Sequence, residues 1–180
     1  MSYLEQYIAR FQNMPSFSLK SVSKDGMTAI PWFDIDPQAI VRELVLDEIN
    51  VAGQVQTITG EIQKWGRLLA VAKRIWELQE RSYRSWRSQF HLDIMVPGGK
   101  KLKPGWTTTA KGDPKPPTVQ TIEALYRTDP EYHKCQVAIE EAEEVYNSVE
   151  SIYEAFRAKR DMLKQFAYRN RDTGEARLTV

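Results

Sequence analysis

The chain has 180 residues, a length typical of one domain, and its apolar fraction of 42% is sufficient to bury a core. Its 25 basic and 24 acidic residues nearly balance, which excludes a uniformly basic nucleic-acid-binding coat but allows local basic patches. Cys135 is the only cysteine, so an intrachain disulfide and a zinc site made of several cysteines are both excluded.

The start of the chain and its hydropathy indicate the compartment. Glu5 precedes Arg10, and the basic-then-apolar order of a signal peptide is missing. No uninterrupted apolar stretch approaches the roughly 18 residues needed to cross a bilayer. We therefore expect a cytoplasmic protein without a membrane segment.

Residues 1–36 are predicted to form a small N-terminal extension. Apolar side chains recur there at helical spacing and predict a short helix over about residues 3–12: Tyr3, Tyr7, Ile8 and Phe11. Asp25-Gly26 then lies between β-compatible segments, which is a weak signal for a β-hairpin. Pro31-Trp32-Phe33 is interpreted as an apolar linker. It leads to Asp36-Pro37, a helix cap followed by proline at the first helical position.

The strongest pattern is an apolar heptad over residues 51–90. One register contains Val51, Ile58, Trp65, Ala72, Gln79 and Trp86, and the other contains Val55, Ile62, Leu69, Trp76, Tyr83 and Phe90. This spacing predicts a long helix that buries one seam against a partner. Because apolar residues continue upstream, we expect one helix, either straight or bent, to run from near Pro37 to about Met95.

A second heptad predicts the partner helix. Thr118 is a candidate cap for a short helix through about Arg127, and Thr128 with Glu131 is predicted to form a capping box where the long helix begins. The apolar positions of that helix are Tyr132, Cys135, Ile139, Ala142, Tyr146, Val149, Tyr153, Phe156 and Leu163. The pattern fades after Arg169 into a polar tail, residues 170–180.

Charge favours an antiparallel pairing of the two long helices. The first helix is basic towards its end, and the second begins with glutamates, so folding back sets opposite charges side by side. The predicted fold class is mainly α, a long antiparallel, coiled-coil-like helical hairpin over residues 37–169. An extended hairpin buries little surface per residue, so we also expect a homo-oligomer.

The connector between the helices, residues 96–117, is rich in Gly, Pro, Lys and Thr and is not expected to form regular structure. Its cationic residues are Lys100, Lys101, Lys103, Lys111 and Lys115, and Trp106 lies among them. Lysines attract phosphates and an exposed indole can stack on a base, so this composition predicts a contact with single-stranded nucleic acid. The alternative is a solvated loop in which Trp106 packs on a neighbour. Arginines extend the basic surface along the first helix.

Catalysis has no support in the sequence. Phosphate-binding GxxxxGK[ST], dinucleotide-binding GxGxxG and zinc-binding HExxH are all missing. A metal site can be drawn from His91, Asp93, His133 and Cys135, but histidines beside a heptad are ordinarily polar edge residues. We therefore expect no enzyme activity and no cofactor, with a metal-dependent hydrolase as a minor alternative.

The second helix resembles a known family. The matching features are Thr128-Asp129-Pro130-Glu131-Tyr132, Glu141-Ala142-Glu143, Phe156, Lys159 and Asp161-Met162-Leu163. They look like the C-terminal helix of UvsY-type phage recombination mediators, and the segment from Lys64-Trp65 through Arg84 is similar to that family's first hairpin arm. The resemblance covers about residues 45–166, and residues 1–40 have no counterpart in it.

The resemblance implies a bacteriophage accessory protein in the host cytoplasm. Such a protein forms an oligomer, possibly a ring, binds single-stranded DNA, and helps a RecA-like recombinase displace single-strand-binding protein. The hairpin residues that the resemblance implies for DNA binding are Lys73, Arg74, Arg81, Arg84 and Arg87. A competing hypothesis is a phage structural or assembly protein, such as an adaptor, whose hairpin serves only to oligomerise.

Overall fold

A computed structural model describes residues 2–22, 29–96 and 103–172. The elements in chain order are α1 (Tyr3–Gln12), β1 (Phe17–Val22), β2 (Ala29–Ile35), α2 (Pro37–Leu44), α3 (Val51–Met95), β3 (Thr107–Thr108), β4 (Pro114–Lys115), α4 (Val119–Arg127) and α5 (Pro130–Asp172). The chain divides into two compact units. The terminal unit combines the residues up to Ile75 with those from Glu144 onward, and the central unit is Trp76–Glu143.

The N-terminal extension contains the predicted helix and hairpin. Helix α1 begins with a capping box in which the Ser2 hydroxyl accepts a hydrogen bond from the Glu5 amide. Strands β1 and β2 pair antiparallel, and the predicted turn at Asp25-Gly26 lies outside the described residues. The predicted linker Pro31-Trp32-Phe33 is instead part of β2. The pairing shifts register between Leu19 and Lys20, next to the position of Pro31, and such an irregularity tolerates a residue without an amide N–H.

The prediction of one helix from Pro37 to Met95 is wrong. The Asp36 cap and Pro37 start α2 as predicted, but α2 ends at Leu44 and α3 begins only at Val51. The reason is local polar bonding, because the Asp47 carboxylate accepts from the amides of Ile49, at 3.0 Å, and Asn50, at 3.3 Å. Such bonds compete with helical ones and produce the break.

In the terminal unit, the start of α3 packs against the end of α5, which is the predicted antiparallel order. Trp65 stacks on Phe156 with ring centroids 6.1 Å apart, and both are buried. Three members of the first predicted register are buried in this unit: Ile58, Trp65 and Ala72. Val55, from the second register, is 40% exposed. Side chains of α1, β1 and α2 join the same core: Phe11, Leu19 and Leu44.

In the central unit, the end of α3 packs with α4 and the start of α5. The contacts are mainly aromatic, with ring centroids 5.4 to 6.4 Å apart, and involve Tyr83, Trp86, Phe90, Tyr126 and Tyr132. Helix α4 has the predicted bounds, and the Thr118 hydroxyl caps it by accepting from the Thr121 amide at 3.2 Å.

The capping box predicted at Thr128 is wrong. Thr128 closes α4 instead, where its hydroxyl donates to the Leu125 carbonyl at 2.8 Å. Asp129 caps α5, because its carboxylate accepts from the Glu131 amide at 2.8 Å and Pro130 takes the first helical position. Helix α5 runs to Asp172, past the predicted fading at Arg169. Residues 173–180 of the predicted tail lie outside the described part of the chain.

None of the helices in the described ranges is long and apolar enough to span a membrane.

Candidate nucleic-acid interface

The connector is more regular than its composition indicated. Residues 107–115 form a small antiparallel hairpin, here called the connector hairpin, in which β3 pairs with β4. Gly112 has a φ of +87°, a left-handed conformation that glycine adopts without strain. The Gly112 amide donates to the Thr109 carbonyl at 2.9 Å, and the Thr109 amide donates to the Asp113 carbonyl at 2.8 Å. Three residues, 110–112, therefore form the tip.

Two of the predicted lysines belong to this hairpin. Lys111 is at its tip and Lys115 is in β4, and both are exposed. Neither side chain makes a hydrogen bond or an ion pair with any residue that the structure describes. Both ammonium groups are therefore available to a polyanion. Lys100 and Lys101 lie outside the described residues.

Lys103 and Trp106 anchor the connector to the end of α3. Lys103 donates from its ammonium group to the Asp93 carbonyl, and the Trp106 indole Nε1 donates to the Ile94 carbonyl at 2.8 Å. The last carbonyls of a helix have no partner within the helix, so these donors satisfy them. The Trp106 side chain is half-buried rather than fully exposed. This position favours the alternative in which Trp106 packs on its neighbours.

Gly105 explains how the connector approaches α4. Its φ is +81°, and a Cβ atom there would lie 3.0 Å from Leu125 and 3.1 Å from Thr121. A larger residue would have to displace both side chains. Glycine is therefore required where the chain passes over α4 towards Trp106.

Some of the predicted arginines are already paired with carboxylates. Arg84 pairs with Glu80 at 2.9 Å. Arg87 pairs with Glu123 at 3.2 Å, and its guanidinium lies 5.2 Å from the centre of the Tyr126 ring. These two cations are already partly neutralised, which makes them weaker candidates for phosphate contacts.

The other three predicted cations are exposed: Lys73, Arg74 and Arg81. Within the described ranges none of their side chains makes a hydrogen bond or an ion pair. Lys73 and Arg74 belong to the terminal unit, whereas Arg81 belongs to the central unit with the connector hairpin.

The central unit also has an open depression that no sequence pattern predicted, here called the α3 depression. Its volume is about 530 Å³, and its lining residues are Arg84, Arg87, Ser88, His91 and Leu92. The helical spacing of three and four residues is the signal that could have revealed this face. His91 also contributes to a small cavity beside Val119 and Tyr126.

The metal site considered from the sequence, made of His91, Asp93, His133 and Cys135, has no counterpart in the described residues. No group of three or more His, Cys, Asp or Glu side chains there is placed to hold an ion. His133 contacts the Tyr132 ring at 5.4 Å. Burial raises the pKa of the Cys135 thiol, which disfavours the reactive thiolate.

Comparisons with protein-family models, with curated proteins and with solved structures found no match to this chain. The resemblance to UvsY-type mediators stays a prediction.

Proposed function

We propose that the protein is a non-enzymatic, single-stranded DNA-binding recombination mediator. In this role it helps a RecA-like recombinase to assemble on DNA that is covered by single-strand-binding protein. The observation that carries the proposal is the connector hairpin, where Lys111 and Lys115 are exposed and pair with no carboxylate of the described chain.

The chemistry of this hairpin suits a phosphate backbone. Ammonium groups on a short ribbon can follow successive phosphates, and the exposed hydroxyls of Thr107 and Thr108 can add hydrogen bonds. Nothing on the hairpin recognises a base edge. The expected binding is therefore independent of DNA sequence.

The proposed mediator role requires self-association for a physical reason. One hairpin offers few phosphate contacts, so binding by a single copy is expected to be weak. Several copies on one strand bind far more tightly, because each later contact forms at a high effective concentration. A ring or chain of copies would also present an ordered strand to a recombinase.

The test measures the affinity of two double-lysine variants for a fluorescent single-stranded oligonucleotide at several salt concentrations. Each phosphate contact contributes about 0.7 to the slope of log affinity against log salt for single strands. Lys111→Ala with Lys115→Ala should therefore weaken binding at low salt and reduce that slope by roughly 1.4. The control is Lys134→Ala with Lys164→Ala, since each of these exposed lysines already has a carboxylate within 4.0 Å.

An unchanged slope in the connector variant would remove the hairpin from the DNA site. The same variant should keep the wild-type helical content, measured by circular dichroism, because both lysines are exposed.

The second candidate is an assembly protein that binds no nucleic acid. It is favoured by large apolar side chains that are exposed in the single chain: Ile49, Leu92, Val119 and Val137. The two candidates differ in one property. An assembly protein shows no affinity for DNA at low salt, whereas a mediator does.

A further inference from the structure

We propose that copies of this chain associate head to tail, with the segment 45–50 of one copy seated in the α3 depression of the next. The inference rests on the self-association within the proposed function and names its interface. It uses neither Lys111 nor Lys115, so it can be tested separately from DNA binding.

The segment 45–50 presents an apolar knob. Ile49 is 99% exposed and Val45 is 55% exposed, although neither position is loosely held. The Asp47 carboxylate accepts from the Ile49 amide at 3.0 Å, and Gln54 Nε2 donates to the Asp47 carbonyl at 2.6 Å. A segment fixed in this way loses little conformational entropy when it binds.

A buried lysine fixes the base of the same segment. Lys159 Nζ donates to the Glu43 carbonyl at 2.6 Å and to the Val45 carbonyl at 3.1 Å, and the lysine is only 6% exposed. The terminal unit therefore orders a segment in which Leu46 packs against the unit's core while the Ile49 side chain stays almost fully exposed. An isoleucine held in this way can bury its side chain against an apolar surface of a partner, which is favourable.

The α3 depression offers the complementary surface. Leu92, which is 58% exposed, forms an apolar part of its wall. The Arg84 side chain is 72% exposed, and its bond to Glu80 uses Nη2 alone, so other N–H groups of the guanidinium remain available. Arg81, one helical turn earlier, has no partner among the described residues.

The charges of the two surfaces match. Among the described residues, two carboxylates pair with Arg81, Arg84 and Arg87, those of Glu80 and Glu123, so a net positive charge remains on these three arginines. Glu48 adjoins Ile49, and its carboxylate makes no hydrogen bond or ion pair within the described ranges. Placing Ile49 beside Leu92 brings this acid to the basic rim.

Because the knob and the depression are different surfaces, the contact is heterologous. Each copy keeps one unused surface after the first contact forms. Repetition then gives a closed ring or an open chain rather than a symmetric dimer.

The test is a disulfide cross-link between two single-cysteine proteins, both made in a Cys135→Ser background. One carries Ile49→Cys and the other carries Leu92→Cys, and they are oxidised mildly, alone and mixed. We expect a cross-linked dimer mainly in the mixture. The matched control replaces Leu92→Cys with Val137→Cys, a position that is similarly exposed at 52%.

Charge reversal provides a second readout without cysteine. Glu48→Arg and Arg84→Glu should each weaken association at least tenfold, measured by sedimentation, and mixing the two variants should restore a pair. Both side chains are exposed, so folding is not expected to change.

Three outcomes test the proposed head-to-tail interface. Cross-linking specific to the mixture supports the interface. Equal cross-linking of the Val137→Cys control overturns the interface. So do oligomers in which Ile49→Cys and Leu92→Cys form no cross-link. Both results leave the proposed self-association in place. A chain that stays monomeric at all concentrations overturns both, while DNA binding by the connector hairpin is judged by its own titration.

Discussion

Lys159 donates a hydrogen bond of 2.6 Å to the backbone carbonyl of Glu43, a residue 116 positions earlier in the chain. Through this bond α5 holds the end of α2, whose last carbonyls have no partner within their own helix. Burial lowers the pKa of Lys159, and the carboxylates of Glu43 and Asp47 oppose that effect. The N-terminal extension is thus tied to the hairpin by a polar contact as well as by its apolar core.

Replacing this lysine should destabilise the fold. Lys159→Met removes the donor to the carbonyls of Glu43 and Val45, and a hydrogen bond from a charged group contributes about 1.5 to 3 kcal/mol. The free energy of unfolding in urea measures the effect. Lys164→Met is the control, because Lys164 is exposed and its variant should stay within about 0.5 kcal/mol of the wild type. Equal stability of both variants would show that the Lys159 contact is dispensable.

The free energy of unfolding should depend on pH through the carboxyl group of Glu43. Burial raises the pKa of its carboxyl group above the ordinary value, so the ionised form is less favourable in the folded chain than in the unfolded chain. The folded state therefore loses stability as the pH rises through the pKa of this group. Glu43→Gln should be more stable than the wild type at neutral pH, by less than about 1 kcal/mol because the side chain is largely exposed to solvent.

The difference between Glu43→Gln and the wild type should disappear below about pH 4, where the carboxyl is protonated in both states. Urea unfolding at a series of pH values measures it. A difference that grows in acid would contradict the assigned direction.

Two glycines of α3 should respond in opposite ways to alanine. A Cβ atom at Gly60 would meet nothing within 4 Å, so Gly60→Ala should gain up to about 1 kcal/mol from helix propensity. At Gly53 a Cβ atom would lie 2.5 Å from Asn50 Oδ1, the atom that accepts from the Gly53 amide. Gly53→Ala should therefore lose stability. Thermal unfolding of the two variants checks the pair, and a loss of stability at Gly60 would show that another subunit approaches there.

The substitution Trp106→Phe distinguishes two roles of the indole, the hydrogen bond to α3 and stacking on a base. The substitution keeps an aromatic face but removes the donor to the Ile94 carbonyl, which should lower the free energy of unfolding by about 1 kcal/mol. If the indole served only as a stacking platform, stability would not change. Chemical unfolding and oligonucleotide binding, measured on the same preparation, give the answer.

The sequence predicted elements whose signals are local and regular. The Asp36-Pro37 cap, the bounds of α4 and the buried register of Ile58, Trp65 and Ala72 are confirmed because helix periodicity and caps depend on near neighbours. The break at residues 45–50 was missed because the apolar positions there continue the helical spacing. Only the Asp47 side-chain bonds reveal that the backbone leaves the helix.

The candidate site was less predictable, since tertiary contacts decide which groups are free. Composition identified the connector lysines, but it could not distinguish Lys111, which is exposed, from Lys103, which caps α3. Composition also left open whether Trp106 stacks on a base or packs on the protein, because no pattern indicates that its indole reaches the Ile94 carbonyl. The α3 depression has no motif at all and depends on which helix faces remain uncovered.

The most direct test of the central claim is a titration of the purified full chain with fluorescent single-stranded and double-stranded oligonucleotides at two salt concentrations. The account predicts binding that prefers the single strand and weakens about tenfold or more between about 50 mM and about 200 mM salt. No measurable affinity for the single strand at the lower salt concentration would contradict it.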